Sequence, residues 1–182
     1  MSPLATTLVL GGARSGKSRF AENLVTDSGL QRIYIATSAV GDDEMAVRIA
    51  SHRESRGPDW LTIEEQFDLA GALLREARAG RALLVDCLTL WLTNLMLAER
   101  DTAEASRELC GILADVSCPV VLVSNEVGMG LVPETPLGRR FRDAQGRLNQ
   151  AVAAAVPNVV FVAAGLPLVL KHAGEAAPRS AP

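Results

Sequence analysis

The sequence predicts an α/β fold: a mainly parallel sheet flanked by helices, with a candidate antiparallel edge strand. Three observations carry this expectation. Short apolar strand patterns alternate with amphipathic helical stretches along the whole chain, as βαβ units require. The run Ala82-Leu83-Leu84-Val85 is continuously apolar, the mark of a strand buried on both faces between helix layers. The first strand, Thr7-Leu8-Val9-Leu10, leads straight into a glycine-rich turn that opens a helix over 17–25 with Phe20, Ala21 and Leu24 on its apolar face.

That turn, Gly11-Gly12-Ala13-Arg14-Ser15-Gly16-Lys17-Ser18, fits the phosphate-loop pattern G-x-x-x-x-G-K-[ST] in the strand-to-helix context that gives the pattern meaning. Its glycines let successive N–H groups turn inward as an anion nest, and the helix dipole points at the same place. Lys17 is expected to reach the β- and γ-phosphates, and the Ser18 hydroxyl to ligate Mg2+. The fold expectation sharpens accordingly to a P-loop NTPase-like sheet that binds a nucleoside triphosphate.

The remaining elements follow in order. Arg32-Ile33-Tyr34-Ile35-Ala36-Thr37 reads as a β-branched and aromatic strand. Asp42-Asp43-Glu44 supplies acidic first-turn residues for a helix over 43–55, stopped by Gly57-Pro58. A short strand pattern covers 60–63. Leu69, Leu73 and Ala77 at i, i+4 spacing predict a helix over 68–79 with Gly80 as its stop. After the strand ending at Asp86, residues 87–98 read as a core helix. This apolar segment is shorter than the ~20 residues that span a bilayer, and Thr89, Thr93 and Asn94 interrupt it. Asp101-Thr102-Ala103-Glu104 has capping-box form and opens a helix to about 115. A strand over 119–124 starts at Pro119, where no ladder donor is lost. The glycine- and proline-bearing segment 125–136 predicts a long, functional loop. Phe141, Ala144, Leu148 and Val152 mark one face of a helix over 137–155; strands over 159–162 and 168–170 close the pattern. One domain over 1–172 is expected, with a disordered tail at 173–182 rich in Ala, Gly and Pro.

Composition excludes several classes. A chain of 182 residues with 48% hydrophobic content has an ample core for one globular domain. A net charge of −3 argues against a nucleic-acid surface, while the arginines near 48–56 suit a small anionic ligand. Cys87, Cys110 and Cys118 are odd in number and form no CxxC pair, so they read as reduced thiols of a cytoplasmic protein. No signal segment or membrane insertion is expected.

Candidate site residues beyond the loop each carry two readings. Asp86 ends a buried strand as a magnesium-holding carboxylate does, or caps the helix that begins near Leu88. His52, flanked by Arg48 and Arg53, is either a helix-face side chain or a nucleophile toward phosphorus, with guanidinium groups stabilising charge in transit. Thr37 and Ser38 stand just past a strand's carboxyl end, where ligands bind in open sheets, and contact phosphate or ribose or cap the next segment. Glu64 and Glu65 are solvated charges or ribose or metal contacts. Asn125-Glu126 begins a loop whose Gly128 and Gly130 allow close backbone approach, so that the polar pair could orient substrate.

Taken together these segments resemble the bifunctional adenosylcobinamide kinase / adenosylcobinamide-phosphate guanylyltransferase family of cobalamin synthesis. The matching residues are Gly11 through Ser18, Tyr34-Ile35-Ala36-Thr37-Ser38, Asp43-Glu44-Met45, Arg48-Ile49 and His52. They continue through Trp60, Thr62, Glu64, Asp86-Cys87-Leu88-Thr89, Thr93-Asn94-Leu95 and Asn125-Glu126-Val127-Gly128-Met129-Gly130. The resemblance spans 8–171 and implies phosphorylation of adenosylcobinamide, then transfer of GMP from GTP onto that phosphate with release of pyrophosphate. It further implies a GMP–histidine intermediate at His52, which follows Ser51 where family members can carry a second histidine. Guanine-nucleotide binding carries over to Gly11, Gly12, Ala13, Arg14, Ser15, Gly16, Lys17, Ser18, Ala36, Thr37, Ser38, Arg53, Glu54, Ser55, Arg56, Glu64 and Asp86. GTP and ATP are the implied substrates, Mg2+ the cofactor and a homotrimer the implied assembly. Apart from the resemblance, a P-loop kinase of a small alcohol without nucleotidyl transfer, or a nucleotide-dependent regulatory switch, would share the phosphate loop.

Overall fold

The computed structural model describes residues 4–38 and 58–174. The helix expected over 43–55 lies outside the described residues, as does the tail from 175 onward. The elements are β1 (Thr7–Gly11), α1 (Lys17–Asp27), β2 (Gln31–Ala36), β3 (Trp60–Glu64), α2 (Leu69–Glu76), β4 (Arg81–Asp86) and α3 (Leu88–Leu97). They continue with α4 (Thr102–Asp115), β5 (Val120–Asn125), α5 (Pro136–Ala155), β6 (Asn158–Ala163) and β7 (Leu166–Lys171).

The strands form one seven-stranded sheet in the order β3-β2-β4-β5-β1-β6-β7. All pairings are parallel except β6 with β7, so the antiparallel edge strand is present and longer than the 168–170 pattern suggested. The parallel strands are apolar because helices cover both faces. Ala21 and Val25 of α1 pack with Val9, Tyr34, Leu84, Val123 and Val162 on one face. Helices α2 to α5 pack on the other, through Leu73, Trp91, Leu109 and Leu148 against Leu8, Ile35, Leu83 and Leu122.

Local chemistry sets the boundaries. Asp101 accepts from the N–H groups of Ala103 and Glu104 and caps α4. Thr135 caps α5, with Pro136 at its first position, one residue before the expected start. Lys171 on β7 closes the other end of α5 by donating to the carbonyls of Ala153, Ala154 and Val156. One boundary needs correction: α2 ends at Glu76 rather than running to 79. Ala77 is already extended, and Gly80 serves the turn into β4 with φ of +85°. Among the described residues no helix is long and apolar enough to cross a membrane.

Strand β1 lies inside the sheet, between β5 and β6, and delivers Gly11 to its carboxyl edge. A Cβ on Gly11 would sit 2.5 Å from both Ser15 Oγ and the Val162 carbonyl oxygen, so the loop closes against bare backbone there. Gly11→Ala is therefore expected to cost about 1–3 kcal/mol of stability through overpacking. A lowered denaturant midpoint at unchanged m would show it; an unchanged midpoint would mean that the loop relaxes freely.

Candidate nucleotide site

The loop after β1 adopts the conformation its glycines allow. Gly16 has φ of +92° and Arg14 of +55°, so the chain turns through left-handed geometry twice before α1 begins at Lys17. No side chain caps the amino end of α1, which leaves its first N–H groups for an anion. The loop is braced from outside: the Gly165 N–H in the β6–β7 turn donates to the Ser15 carbonyl at 2.8 Å. A Cβ on Gly16 would stand 3.1 Å from the Gly165 Cα, so Gly16 serves this close approach, while Gly165 serves the turn with its φ of +80°.

Lys17 is buried, and its ammonium donates to the Gly12 carbonyl at 3.1 Å. Burial pulls its pKa below that of an ordinary lysine, with Cys87 and Asp86 acting in the opposite direction. The Cys87 thiol is itself pushed up to about 11 by burial and by the neighbouring Asp86, which keeps it protonated at neutral pH.

Asp86 Oδ2 accepts a hydrogen bond from the Tyr34 hydroxyl at 3.0 Å. The cap of α3 is Cys87, without a side-chain bond, so of the two readings for Asp86 the capping one is not realised. Tyr34 in turn meets Trp60 edge-on, with ring centroids 6.2 Å apart. The register places Ala36 between Glu64 and Asp86, Asp86 beside Val123, and Asn125 beside Gly11. One edge of the sheet thus gathers the phosphate loop, Lys17, Ala36, Glu64 and Asp86, with Ser18 in the first turn of α1.

Of the two readings for Thr37, a nucleotide contact or a local structural role, the structure shows the hydrogen bonds of a structural one. Thr37 is fully buried, its hydroxyl donates to the Cys87 carbonyl at 2.7 Å and accepts from the Cys87 N–H at 2.8 Å. Its own N–H reaches the Asp86 carbonyl and its carbonyl accepts from Asn94 Nδ2. Thr37 is a fastener between β2 and the end of β4; Ser38, next to it, is half-buried. Glu64 is exposed, whereas Glu65 accepts from the Phe67 and Asp68 N–H groups and pairs with Arg75, a structural role. His52, Arg53, Glu54, Ser55 and Arg56 lie outside the described residues.

Sequence reasoning gave no role to Tyr34, Thr89, Asn94, Gln145 or Asn149. The last two were detectable as polar residues, four apart, inside the apolar stripe of α5. They are buried with Ser124 in one hydrogen-bonded cluster.

The fit to Mg2+ rests on the donor set. Among the described residues no three-residue cluster of His, Cys, Asp or Glu could hold a metal alone. A single hydroxyl and a single carboxylate suit an ion that keeps its waters and takes its other ligands from phosphates.

The buried ammonium has a measurable consequence. Bound phosphate stabilises protonated Lys17, so triphosphate affinity should fall as pH rises through its lowered pKa, before the 10.5 of an ordinary lysine. In the nucleotide-free protein the sign is opposite. Between the lowered value and 10.5 the unfolded chain holds more protons, so this group's contribution to stability rises with pH. Lys17→Arg should flatten the alkaline loss of affinity in a calorimetric titration; an identical pH profile would remove Lys17 from phosphate binding.

Comparisons with known proteins show the family and the fold. Residues 7–170 match the family model described as cobinamide kinase / cobinamide phosphate guanyltransferase. The chain is 52% identical over 166 residues to the bifunctional adenosylcobalamin biosynthesis protein CobP of Pseudomonas aeruginosa, covering 90% of this chain and 96% of that protein. It is 43% identical over 179 residues to the bifunctional adenosylcobalamin biosynthesis protein CobU of Escherichia coli, with coverage of 90% and 98%. At the level of fold it is similar to the flagellar accessory protein FlaH of Methanocaldococcus jannaschii, with a TM-score of 0.52, 13% identity and coverage of 93% and 79%. The RadB recombinase is similar too, with a TM-score of 0.51, 15% identity and coverage of 97% and 84%, and these likenesses bear out a P-loop NTPase architecture. The chain belongs to the cobinamide kinase / cobinamide phosphate guanyltransferase family.

Proposed function

We propose that this protein phosphorylates adenosylcobinamide with ATP or GTP, then transfers GMP from GTP to adenosylcobinamide phosphate, giving adenosyl-GDP-cobinamide and pyrophosphate. The observation that carries this reading is the phosphate loop with Lys17 buried beside Asp86, in a chain of this family. Loop N–H groups and Lys17 hold the triphosphate and neutralise charge on the transferring phosphoryl group. Ser18 and Asp86 would hold Mg2+, which lends further charge neutralisation to the phosphates. Asp86 is oriented for this by Tyr34, whose hydroxyl fixes one carboxylate oxygen.

In the second activity His52 attacks the α-phosphorus of GTP, the bond to the β-phosphate breaks, and pyrophosphate leaves. A phosphate oxygen of adenosylcobinamide phosphate then attacks the same phosphorus, and the P–N bond breaks to restore the imidazole. Arg53, Glu54, Ser55, Arg56, Ala36, Ser38 and Glu64 complete the guanine-nucleotide contacts in this reading. Assembly as a cytoplasmic homotrimer accompanies it. The apolar edge strand β7, with Leu166 73% and Leu168 60% exposed, supports self-association.

Three substitutions test the assignment. Lys17→Ala should abolish both activities, since each uses the triphosphate held by the loop; normal turnover in either assay would refute a shared site. Asp86→Asn keeps an acceptor for Tyr34, so it should cut magnesium-dependent turnover while the melting temperature holds. A collapse of stability with normal activity per folded molecule would make Asp86 structural.

His52→Ala should remove acid-labile, base-stable label from GTP carrying a marked α-phosphate, together with guanylyl transfer, while kinase activity persists. Loss of the nucleophile is worth several powers of ten in rate, at ~1.4 kcal/mol each. Loss of a packing histidine would instead lower stability by roughly 0.5–3 kcal/mol and reduce both activities together. An adduct formed without His52 would overturn the mechanism.

A further inference from the structure

We propose that the loop side chains Met129, Leu131 and Val132 are the docking surface for the corrin ring of the acceptor. The ring rests on them outside the sheet edge while its hydroxyl-bearing arm reaches the bound triphosphate. This rests on the substrate and reaction read above and adds to them the residues that hold the acceptor.

The loop after β5 is apolar where loops are usually polar. From Val127 to Pro133 no residue carries a charge. Leu131 is 96% exposed and Met129 81%, and Val132 beside them is exposed as well. None of the three packs against either apolar cluster of the core. A single exposed apolar side chain is ordinary. Three within four positions form a patch, and such a patch marks a surface that another molecule covers.

Contacts at both ends hold these side chains outward. At the start, the Glu126 N–H donates to the Gly11 carbonyl at 3.1 Å, and Glu126 Oε1 accepts from the Gly128 N–H. At the end, Arg139 donates to the carbonyls of Pro133 and Glu134 at 3.0 and 2.7 Å, and the Thr135 hydroxyl accepts from the Gly138 N–H. A Cβ on Gly138 would lie 2.8 Å from Pro133 Cβ, so this end is closely packed.

The patch belongs to the nucleotide site by position. Its root is bonded to Gly11, the first residue of the phosphate loop. Five residues reach at most about 18 Å, so Leu131 stays near that root. Strand β5 lies between β1, which leads into the phosphate loop, and β4, which ends at Asp86. The loop therefore leaves the carboxyl edge of the sheet between these two groups, where ligands of open parallel sheets bind.

The chemistry of the patch selects the acceptor over the nucleotide. A nucleoside triphosphate is a polyanion with a hydrogen-bonding base, and these side chains offer it neither charge nor donor. A corrinoid has the opposite character: methyl groups line the ring, and uncharged carboxamides end its short arms. Such a ring is too large to enter the phosphate loop, so it has to be held beside the loop while one arm extends inward. The unbranched thioether of Met129 adapts to an irregular face of this kind. At Gly130 a Cβ would meet nothing within 4 Å, which leaves the adjoining peptide groups open to the carboxamides.

The test measures kinase turnover of the full chain with ATP and magnesium at varied adenosylcobinamide, together with the mass in solution by sedimentation. Leu131→Ser and Met129→Ser should each raise the KM for adenosylcobinamide about tenfold or more, the effect of losing one apolar side chain from a contact. The KM for ATP and the melting temperature should stay at wild-type values, because neither side chain belongs to the core. Leu131→Met, which keeps the apolar contact and its volume, should hold the KM for adenosylcobinamide within about threefold of wild type.

An unchanged KM for adenosylcobinamide in either serine variant overturns the proposal, as does an equal rise in the KM for ATP. A serine variant of lower mass than wild type overturns it too, since a second copy of the chain would then be what covers the patch. Wild-type protein that binds ATP but phosphorylates no adenosylcobinamide overturns the assigned function itself. Variants that behave as an active wild type does overturn the docking surface alone.

Discussion

Burial of the Lys17 ammonium is the constraint around which the rest of the site is built. A buried cation is expensive unless charge and hydrogen bonds compensate it. The protein offers one carbonyl, from Gly12, and a carboxylate nearby, from Asp86. That falls short of full compensation, and the pKa lowered by burial records the shortfall. A bound polyphosphate would supply what is missing. In the proposed reading the left-handed turns at Arg14 and Gly16, the uncapped start of α1 and the bare backbone at Gly11 bring an anion to this one amine.

An electrostatic site of this kind works only if its walls do not move, and the fastening is done by polar side chains that reach across elements to backbone. Thr37 ties the end of β2 to Cys87, Asn94 ties the same point to α3, and Thr89 ties α3 to Asn125. Tyr34 positions the one carboxylate directly. These bonds join β2 to β4 directly, and join the ends of β2 and β5 to α3. Together they turn separate loops into a rim whose geometry the sheet dictates. The hydrogen bond from Gly165 to Ser15 does the same from the far side, so the phosphate loop is braced by β6–β7 as well as by β1.

This division explains what the sequence revealed. The phosphate loop was legible because its chemistry is local: eight consecutive residues specify both backbone shape and charge. The strands were legible through continuous apolar runs, and most helices through their periodicity. The role of Thr37 was not, because its partner Cys87 lies fifty residues away and only strand order brings them together. The same holds for Tyr34 and Asp86. The end of α2 was misplaced because Ala77 continues the helical spacing although the chain leaves the helix there, and only the turn into β4 decides that. Gln145 and Asn149 did leave a trace, as polar breaks in an apolar stripe, but their meaning required the position of Ser124.

The same rim also bears on how one pocket could serve two reactions at different phosphorus atoms. A kinase step breaks the bond to the γ-phosphorus, and a nucleotidyl transfer breaks the bond to the α-phosphorus. In the proposed reading the loop grips the polyphosphate chain between these ends, so it favours neither. Selection must come from what stands beside each phosphorus: a hydroxyl acceptor near the outer end, a nucleophile near the inner one. In the proposed reading Lys17 and Asp86 border the loop and the outer end of the triphosphate; they sit at the head of a helix and at the end of a strand. Anything that addresses the α-phosphorus must come from another segment. In the proposed reading that segment is the one carrying His52 and its arginines, between β2 and β3 in the chain. One grip with two separately placed nucleophiles is a sufficient physical basis for two activities on a single domain.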